Sequence, residues 1–351
     1  MNAVKVSAER DYEVVIGCDW SSTLIERIKN RTRVAVIVST NFSPDLTPLK
    51  NLDCELHLFE VPDGEEGKSS STLLNLWSWL GAAGFTRSDL IVGIGGGAVT
   101  DCAGFAAATW LRGIDWIAVP TSLAGMVDAS VGGKTGINSD YGKNLVGSFH
   151  SPDSVLIDLN FLNSLSLRDI SAGMAEVIKC GFIADPEILR VSQKCTAEKL
   201  LSDQSSLLDL VTRAVRVKAA VVSADFKESF AREALNYGHT LGHAIEKYSK
   251  YQMRHGEAVA IGMVFVAEIA FARGAIDLQT LQLHRDLLTR YQLPIAFERS
   301  AWQKLAPLLA LDKKARGNTI RFVVLEGIGS TLRLDDLTSA ELDAAYERIS
   351  S

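Results

Sequence analysis

Three of the chain's six histidines crowd into the stretch from Arg232 to His255. It begins Arg232-Glu233-Ala234-Leu235-Asn236-Tyr237-Gly238-His239-Thr240-Leu241-Gly242-His243 and closes on His255-Gly256-Glu257. The pattern points to metal chemistry. His239 and His243 stand four residues apart in a stretch that reads as helix, Phe230 to Tyr248, so their side chains leave the same face. His255 lies beyond a polar, tyrosine-bearing break and opens a second apolar helical run, Ala258 to Arg273, so a helix-turn-helix can return it to the same pocket. In an apolar helix upstream, Glu176 and Lys179 share a face, and the plainest meaning of that spacing is an ion pair. A set of two or three histidines with one carboxylate nevertheless suits a divalent cation such as Zn²⁺ and leaves positions for substrate oxygens. Glu176 is the carboxylate nominated to complete it.

Two glycine-rich segments add anion chemistry. Gly93-Ile94-Gly95-Gly96-Gly97-Ala98 lies between an apolar strand and a helix, where amides at the helix N-terminus can meet a pyrophosphate. The same pattern also serves as plain turn chemistry. Asp101 reads as a cap of that helix or a cofactor contact, capping being the safer role. Asp128 through Asn138, with Lys143-Asn144 shortly after, reads as a loop whose amides and two lysines can wrap a phosphate. A P-loop would need glycine at position 128, which is Asp128, so ATP binding is disfavoured.

These residues need two kinds of scaffold. Strand-like runs at Tyr12 to Ile16, Arg33 to Val38, Glu55 to Val61, Leu90 to Ile94 and Ile114 to Val119 alternate with helical ones at Ser22 to Lys29, Ser70 to Ala83 and Thr100 to Trp110. Unalternating apolar strands separated by helices belong to a parallel sheet covered on both faces. From about Arg168 helical periodicity takes over: Ala172 to Ile183, Pro186 to Leu201, Leu207 to Ala224, then the histidine-bearing runs and Leu278 to Tyr291. Only Thr319 to Leu325 and Ser330 to Leu334 read as strands there. The expected architecture is an α/β N-terminal domain, 1–166, with a Rossmann-like parallel sheet. A mainly α-helical C-terminal domain, 167–351, follows, with the active site in the cleft. A length of 351 residues fits two domains, and 47% hydrophobic residues supply their cores.

The net charge of −6 argues against a nucleic-acid surface. Five cysteines without a C-x-x-C pair suit free thiols in a reducing compartment. The N-terminus has no signal-peptide pattern and no uncharged apolar run reaches membrane length, so a cytoplasmic protein without membrane partners is expected.

Taken together, the chain resembles the 3-dehydroquinate synthase family of the sugar phosphate cyclase superfamily over nearly its whole length. The motifs are Pro62-Asp-Gly-Glu65-x-x-Lys68, Gly95-Gly-Gly with Asp101, Arg112-Gly113, Val119-Pro-Thr121-Ser122, Asp128 through Asn138, and Gly142-Lys143-Asn144. They continue with Ala172-Gly-Met-Ala-Glu176-x-x-Lys179, Arg232-Glu-x-Leu-Asn236-x-x-His239-x-x-x-His243 and His255-Gly-Glu257-Ala-Val. The resemblance implies NAD and one divalent metal, Zn²⁺ or Co²⁺, held by Glu176, His239 and His255, with His243 serving substrate and catalysis instead. It implies NAD contacts from Asn41, Glu65, Lys68, Gly96, Gly97, Asp101, Thr121, Ser122, Lys134 and Lys143, with Phe161 and Ser164 closing over the cofactor. Ser39 departs from the aspartate common in the family two residues before Asn41.

For a sugar-phosphate substrate, the resemblance assigns Lys134, Asn144, His243 and one lysine of Lys313-Lys314, taken as Lys313, to the phosphate, with Lys143 also meeting substrate and Arg112 reaching in from a second subunit of a homodimer. Lys218 and Arg232 are assigned to a carboxylate, and Asp128, Lys179, Glu228 and Asn236 to ring hydroxyls. The implied reaction is the second step of the shikimate pathway. In it NAD⁺ transiently oxidises 3-deoxy-D-arabino-heptulosonate 7-phosphate, phosphate leaves, NADH returns the hydride, and ring opening with intramolecular aldol closure gives 3-dehydroquinate. Separate cationic ends suit a doubly anionic substrate. Cyclases acting on substrates without a carboxylate would not need Lys218 with Arg232. A metal-dependent polyol dehydrogenase would release NADH and would not need the phosphate-facing lysines.

Overall fold

The computed structural model describes residues 1–50, 52–227, 231–315 and 320–351, the side chains of 231 and 310–315 excepted. The chain forms two compact units, one of Met1–Leu165 with Lys218–Lys227, the other of Ser166–Val217 with Glu228–Ser351.

The first unit holds β1 (Asn2–Val6), β2 (Tyr12–Ile16), α1 (Trp20–Ile28), β3 (Arg33–Ser39), β4 (Glu55–Val61), α2 (Ser70–Ala82), β5 (Leu90–Gly95), α3 (Gly97–Thr109) and β6 (Asp115–Pro120). The hairpin β7 (Lys134–Ser139) and β8 (Gly142–Phe149) and then β9 (Ser154–Ile157) complete it. Seven strands make one sheet in the order β1-β2-β9-β6-β5-β3-β4, parallel except for the β1–β2 pair. Every residue of β5 is buried, as a central strand covered on both faces requires. Asp19 and Ser69 cap α1 and α2, each accepting from a backbone N–H three residues on. The sequence reading contains no β1 or β9, but β2 to β6 and α1 to α3 follow it closely. The segment Asp128–Asn138 does not: it runs from the end of a π-helical turn at Gly125–Ala129 into the β7–β8 hairpin rather than forming a loop. Gly136 is a cross-strand contact, since a Cβ there would lie 2.7 Å from the Val146 carbonyl oxygen and 3.2 Å from Gly147 Cα.

The second unit contains α4 (Leu167–Ile183), α5 (Pro186–Ser192), α6 (Ala197–Ser202) and most of α7 (Gln204–Ala224), whose last turns group with the first unit. It continues with α8 (His239–Tyr248), α9 (His255–Ala272), α10 (Leu278–Arg290), α11 (Trp302–Ala315), the antiparallel pair β10 (Phe322–Leu325) and β11 (Thr331–Leu334), and α12 (Ser339–Arg348). Pro186–Leu201 is two short helices, not one, because Thr196 caps a fresh start. The stretch read as helix from Phe230 is likewise broken: Ala231–Asn236 is a 3₁₀ segment and Gly238, at φ +79°, turns the chain into α8. α9 is apolar enough to cross a membrane by composition, but it is the core helix of its unit, 83% buried.

Candidate metal centre and cofactor site

α8 opens where it does because Gly238 adopts a left-handed conformation and packs on α9, where a Cβ would sit 2.8 Å from Met263 N and 2.9 Å from the Val259 carbonyl oxygen. His239 is then the first residue of α8 and His255 the first of α9, and both reach the buried Glu176 of α4. Their Nε2 atoms lie 3.6 and 3.4 Å from Glu176 Oε1. That oxygen is buried and makes no hydrogen bond among the described residues, whereas Oε2 takes the ammonium of Lys179. An orphaned carboxylate oxygen facing two imidazole nitrogens fits a divalent cation, and these three residues form a group of metal-ligand dimensions.

The rear nitrogens fix the tautomers. His239 Nδ1 meets the Tyr237 carbonyl at 3.1 Å and His255 Nδ1 meets Glu246 Oε2 at 3.0 Å. Both partners only accept, so each Nδ1 carries hydrogen and each Nε2 can turn its lone pair to a metal. Burial opposes ionisation of Glu176, but Lys179, His239 and His255 outweigh it and hold the carboxyl well below its ordinary range. Burial, then the Lys179 charge, pushes His239 well below its usual value. Burial also pushes His255 down, yet the neighbouring carboxylates of Glu176 and Glu246 win and raise it to about 10, so a cation taken up at Nε2 displaces the proton carried there.

His243 stands outside this group, and with Glu246 and His255 it forms a second group of metal-ligand dimensions. Its ring centroid is 5.4 Å from that of His239 and 6.0 Å from that of His255, and its side chain is exposed. Glu246 is absent from the sequence reading, although it follows His239 by two helical turns on the face that carries His243. Arg232 is buried on the 3₁₀ segment, and Asn236 Nδ2 is buried with no hydrogen-bond partner among the described residues. Glu233 pairs with Arg321 at 2.9 Å, tying that segment to the residue preceding β10. Arg168 grips Glu257 with two hydrogen bonds of 2.5 and 2.8 Å, and Glu257 also accepts the Arg254 N–H, so the starts of α4 and α9 are bound together. Glu228 and the side chain of Lys313 lie outside the described residues.

In the first unit α3 begins at Gly97 with Gly96 as its cap, and a glycine brings no side chain to bond the first-turn amides. A Cβ on Gly97 would come within 2.9 Å of Ala129 Cβ. Uncapped amides on a surface that excludes side chains fit a dinucleotide pyrophosphate. Asp101 does not cap the helix. It lies a full turn inside α3 and bonds Lys68 Nζ at 2.7 Å, its carboxyl raised by burial against the opposing pull of Lys68. Lys68, itself buried, also donates to Asn144, whose φ is +56°. Asn138, to which the sequence reading gave no role, accepts from Asn144 N and donates to Glu65. Lys143 lies 3.6 Å from Glu65.

Opposite Ser39, Asp63 accepts from its hydroxyl at 2.8 Å and from Asn41 Nδ2 at 3.4 Å, so a carboxylate is present where Ser39 lacks one. Ser122 accepts from Gly125 N–H, and Thr121 is buried beside it. Phe161 packs against Trp20 and Phe42, with the Ser164 hydroxyl donating to its carbonyl. Lys218 donates to Asp128, Lys134 is exposed at the start of β7, and Arg112 is exposed at φ +69°.

Comparison with known proteins agrees with this geometry. The family models described as 3-dehydroquinate synthase N-terminal and C-terminal match residues 58–172 and 173–315. The 3-dehydroquinate synthase of Pseudarthrobacter chlorophenolicus is 47% identical over 350 residues, covering 98% of this chain and 96% of its own. That of Mycobacterium leprae is 47% identical over 352 residues, covering 99% and 98%. Among solved structures, 2-epi-5-epi-valiolone synthase from Streptomyces hygroscopicus, with NAD⁺ and Zn²⁺ bound, superposes with a TM-score of 0.90 at 25% identity, covering 99% of this chain and 98% of that one. The chain belongs to the 3-dehydroquinate synthase family.

Proposed function

We propose that this enzyme converts 3-deoxy-D-arabino-heptulosonate 7-phosphate to 3-dehydroquinate and phosphate. The observation that carries the reading is Glu176 Oε1, buried, unbonded and faced by two imidazoles of fixed tautomer, in a chain of this family. When bound, NAD⁺ would supply a reversible hydride acceptor and the divalent ion, zinc or cobalt, a Lewis acid for substrate oxygens. The chain's own residues position the reactants. Glu176, His239 and His255 hold the metal, and Lys179 keeps the Glu176 carboxylate ionised. His243, outside the ligand set and more exposed, serves the substrate. Arg232 and Lys218 take the substrate carboxylate. Asn236, with its unsatisfied buried amide, and Asp128, Lys179 and Glu228 take ring hydroxyls. Lys134, Lys143, Asn144 and Lys313 take the phosphate end.

The first unit binds NAD, through the α3 N-terminus, Glu65, Lys68, Asp101, Asn41, Thr121, Ser122, Lys134, Lys143, Phe161 and Ser164. The second holds the metal, and the working division of the chain is 1–166 and 167–351. The enzyme is a cytoplasmic homodimer without nucleic-acid or membrane partners, its exposed Arg112 serving the neighbouring subunit. Sedimentation at twice 38.1 kDa is the result expected for that assembly. The direct test is incubation with the heptulosonate phosphate, NAD⁺ and Zn²⁺, following phosphate and dehydroquinate. No phosphate release would overturn the reading.

A further inference from the structure

His284 is a fully buried titratable group that none of the roles above uses. It lies on α10, its ring stacked on Phe182 of α4 with centroids 3.5 Å apart and planes 6° from parallel. Its Nδ1 is 2.8 Å from the Thr280 carbonyl, which can only accept, so Nδ1 carries the hydrogen and Nε2 is an acceptor. The Tyr237 hydroxyl, 2.7 Å away, donates to it. Burial pushes the imidazole down to about 4, so it stays neutral and the bond keeps this polarity. The carbonyl of the same Tyr237 accepts from His239 Nδ1.

We propose that His284 is a positioning residue for the metal centre: by anchoring the Tyr237 hydroxyl it fixes the Tyr237 carbonyl that aims His239 Nε2 at Glu176. The inference rests on Glu176, His239 and His255 being the metal ligands. A group hydrogen-bonded behind a ligating histidine typically changes metal affinity by about 10–100-fold, and His284 acts one residue further back, so about tenfold is expected.

The test uses His284→Phe, which keeps the stacking shape but lacks the acceptor, Tyr237→Phe, which lacks the donor, and the double variant. His284→Gln serves as the variant able to accept the hydroxyl. Zn²⁺ affinity is read by chelator competition, and the ligand field by the visible spectrum of the Co²⁺-substituted protein. The expected result is about tenfold weaker Zn²⁺ binding and a changed Co²⁺ spectrum in each single variant, no further loss in the double variant, and recovery in His284→Gln. Wild-type affinity and spectrum in Tyr237→Phe overturn the proposal, even if His284→Phe fails to fold. Lower melting temperatures with unchanged metal binding overturn it too, since that is all a packing role predicts. His239→Ala separates the two readings: if it retains metal with an unaltered Co²⁺ spectrum, the ligand assignment itself fails.

Discussion

Gly256 ties the proposed metal site to backbone packing. It follows His255 at the start of α9, against α4 at Ala172, one turn before Glu176. A Cβ there would lie on the Ala172 carbonyl group, 2.5 Å from its carbon and 2.8 Å from Ala172 Cα. Carbon atoms pack best at about 3.5–4.0 Å, so Gly256→Ala must push the two helices apart by about 1 Å. The opposing gain is small. Alanine is worth at most about 1 kcal/mol over glycine inside a helix, less in a first turn. Overpacking costs about 1–3 kcal/mol, and here backbone meets backbone, so no rotamer change relieves it. A net loss of about 2 kcal/mol, or roughly 4–8 °C in melting temperature, is expected.

The larger effect falls on the ligands. Moving His255 by about 1 Å against Glu176 greatly exceeds the roughly 0.2 Å within which metal–ligand distances must be met, so Zn²⁺ affinity should fall at least about 100-fold. Ala172→Gly should not rescue it, because the clash is with main-chain atoms. Chelator competition and thermal unfolding of the purified variant measure both terms. A Gly256→Ala protein with wild-type Zn²⁺ affinity would refute the claim that the α4–α9 contact sets the ligand geometry.

Glu246→Gln keeps a hydrogen-bond acceptor behind His255 but removes the charge, so Zn²⁺ should bind about 10–100-fold more weakly with little change in fold; unchanged chelator competition would refute the positioning role. Lys68→Met leaves the Asp101 carboxylate unpaired and should cost toward the lower end of roughly 3–5 kcal/mol, Asp101 taking up a proton in partial relief. Denaturant unfolding checks this, and adding Asp101→Asn should restore part of the loss. His284 titrates at about 4 when folded against 6.5 in its unperturbed state. Between those values the unfolded chain binds the proton and the folded chain does not. Its contribution is therefore lost as pH falls, by up to about 1.4 kcal/mol per unit and about 3 kcal/mol by pH 4. Unfolding curves of wild type and His284→Gln across this window should differ in slope, and equal slopes would contradict the assignment.

Legibility in the sequence tracked how local the cause was. β5 could be read because all its residues are apolar, and α9 because its apolar run is too long for a strand. The β7–β8 hairpin could not, because its glycines answer to one another across the strands. The helix expected from Phe230 broke at Gly238, whose conformation is set by a contact with α9. Glu246 left a readable trace, seven residues after His239. His284 left none: it sits 45 positions from His239 on another helix, and its meaning lies wholly in Tyr237.

For Glu176 the sequence left an ion pair with Lys179 and a metal ligand as competing readings. The geometry gives one oxygen to each, Oε2 to the ammonium and Oε1 to the two imidazoles. The side chains of Glu176 and Lys179 are each only 2% exposed, and a pair so deeply buried returns little net stability, because desolvating both ions offsets their attraction. Its value lies in what it does to the free oxygen. With Oε2 anchored, the carboxylate cannot rotate to present either atom at will, and the adjacent cation keeps it ionised despite burial. Under the proposed assignment Lys179 prepares the carboxylate as a metal ligand, so one side chain stands both in the ion pair and among the groups proposed for substrate.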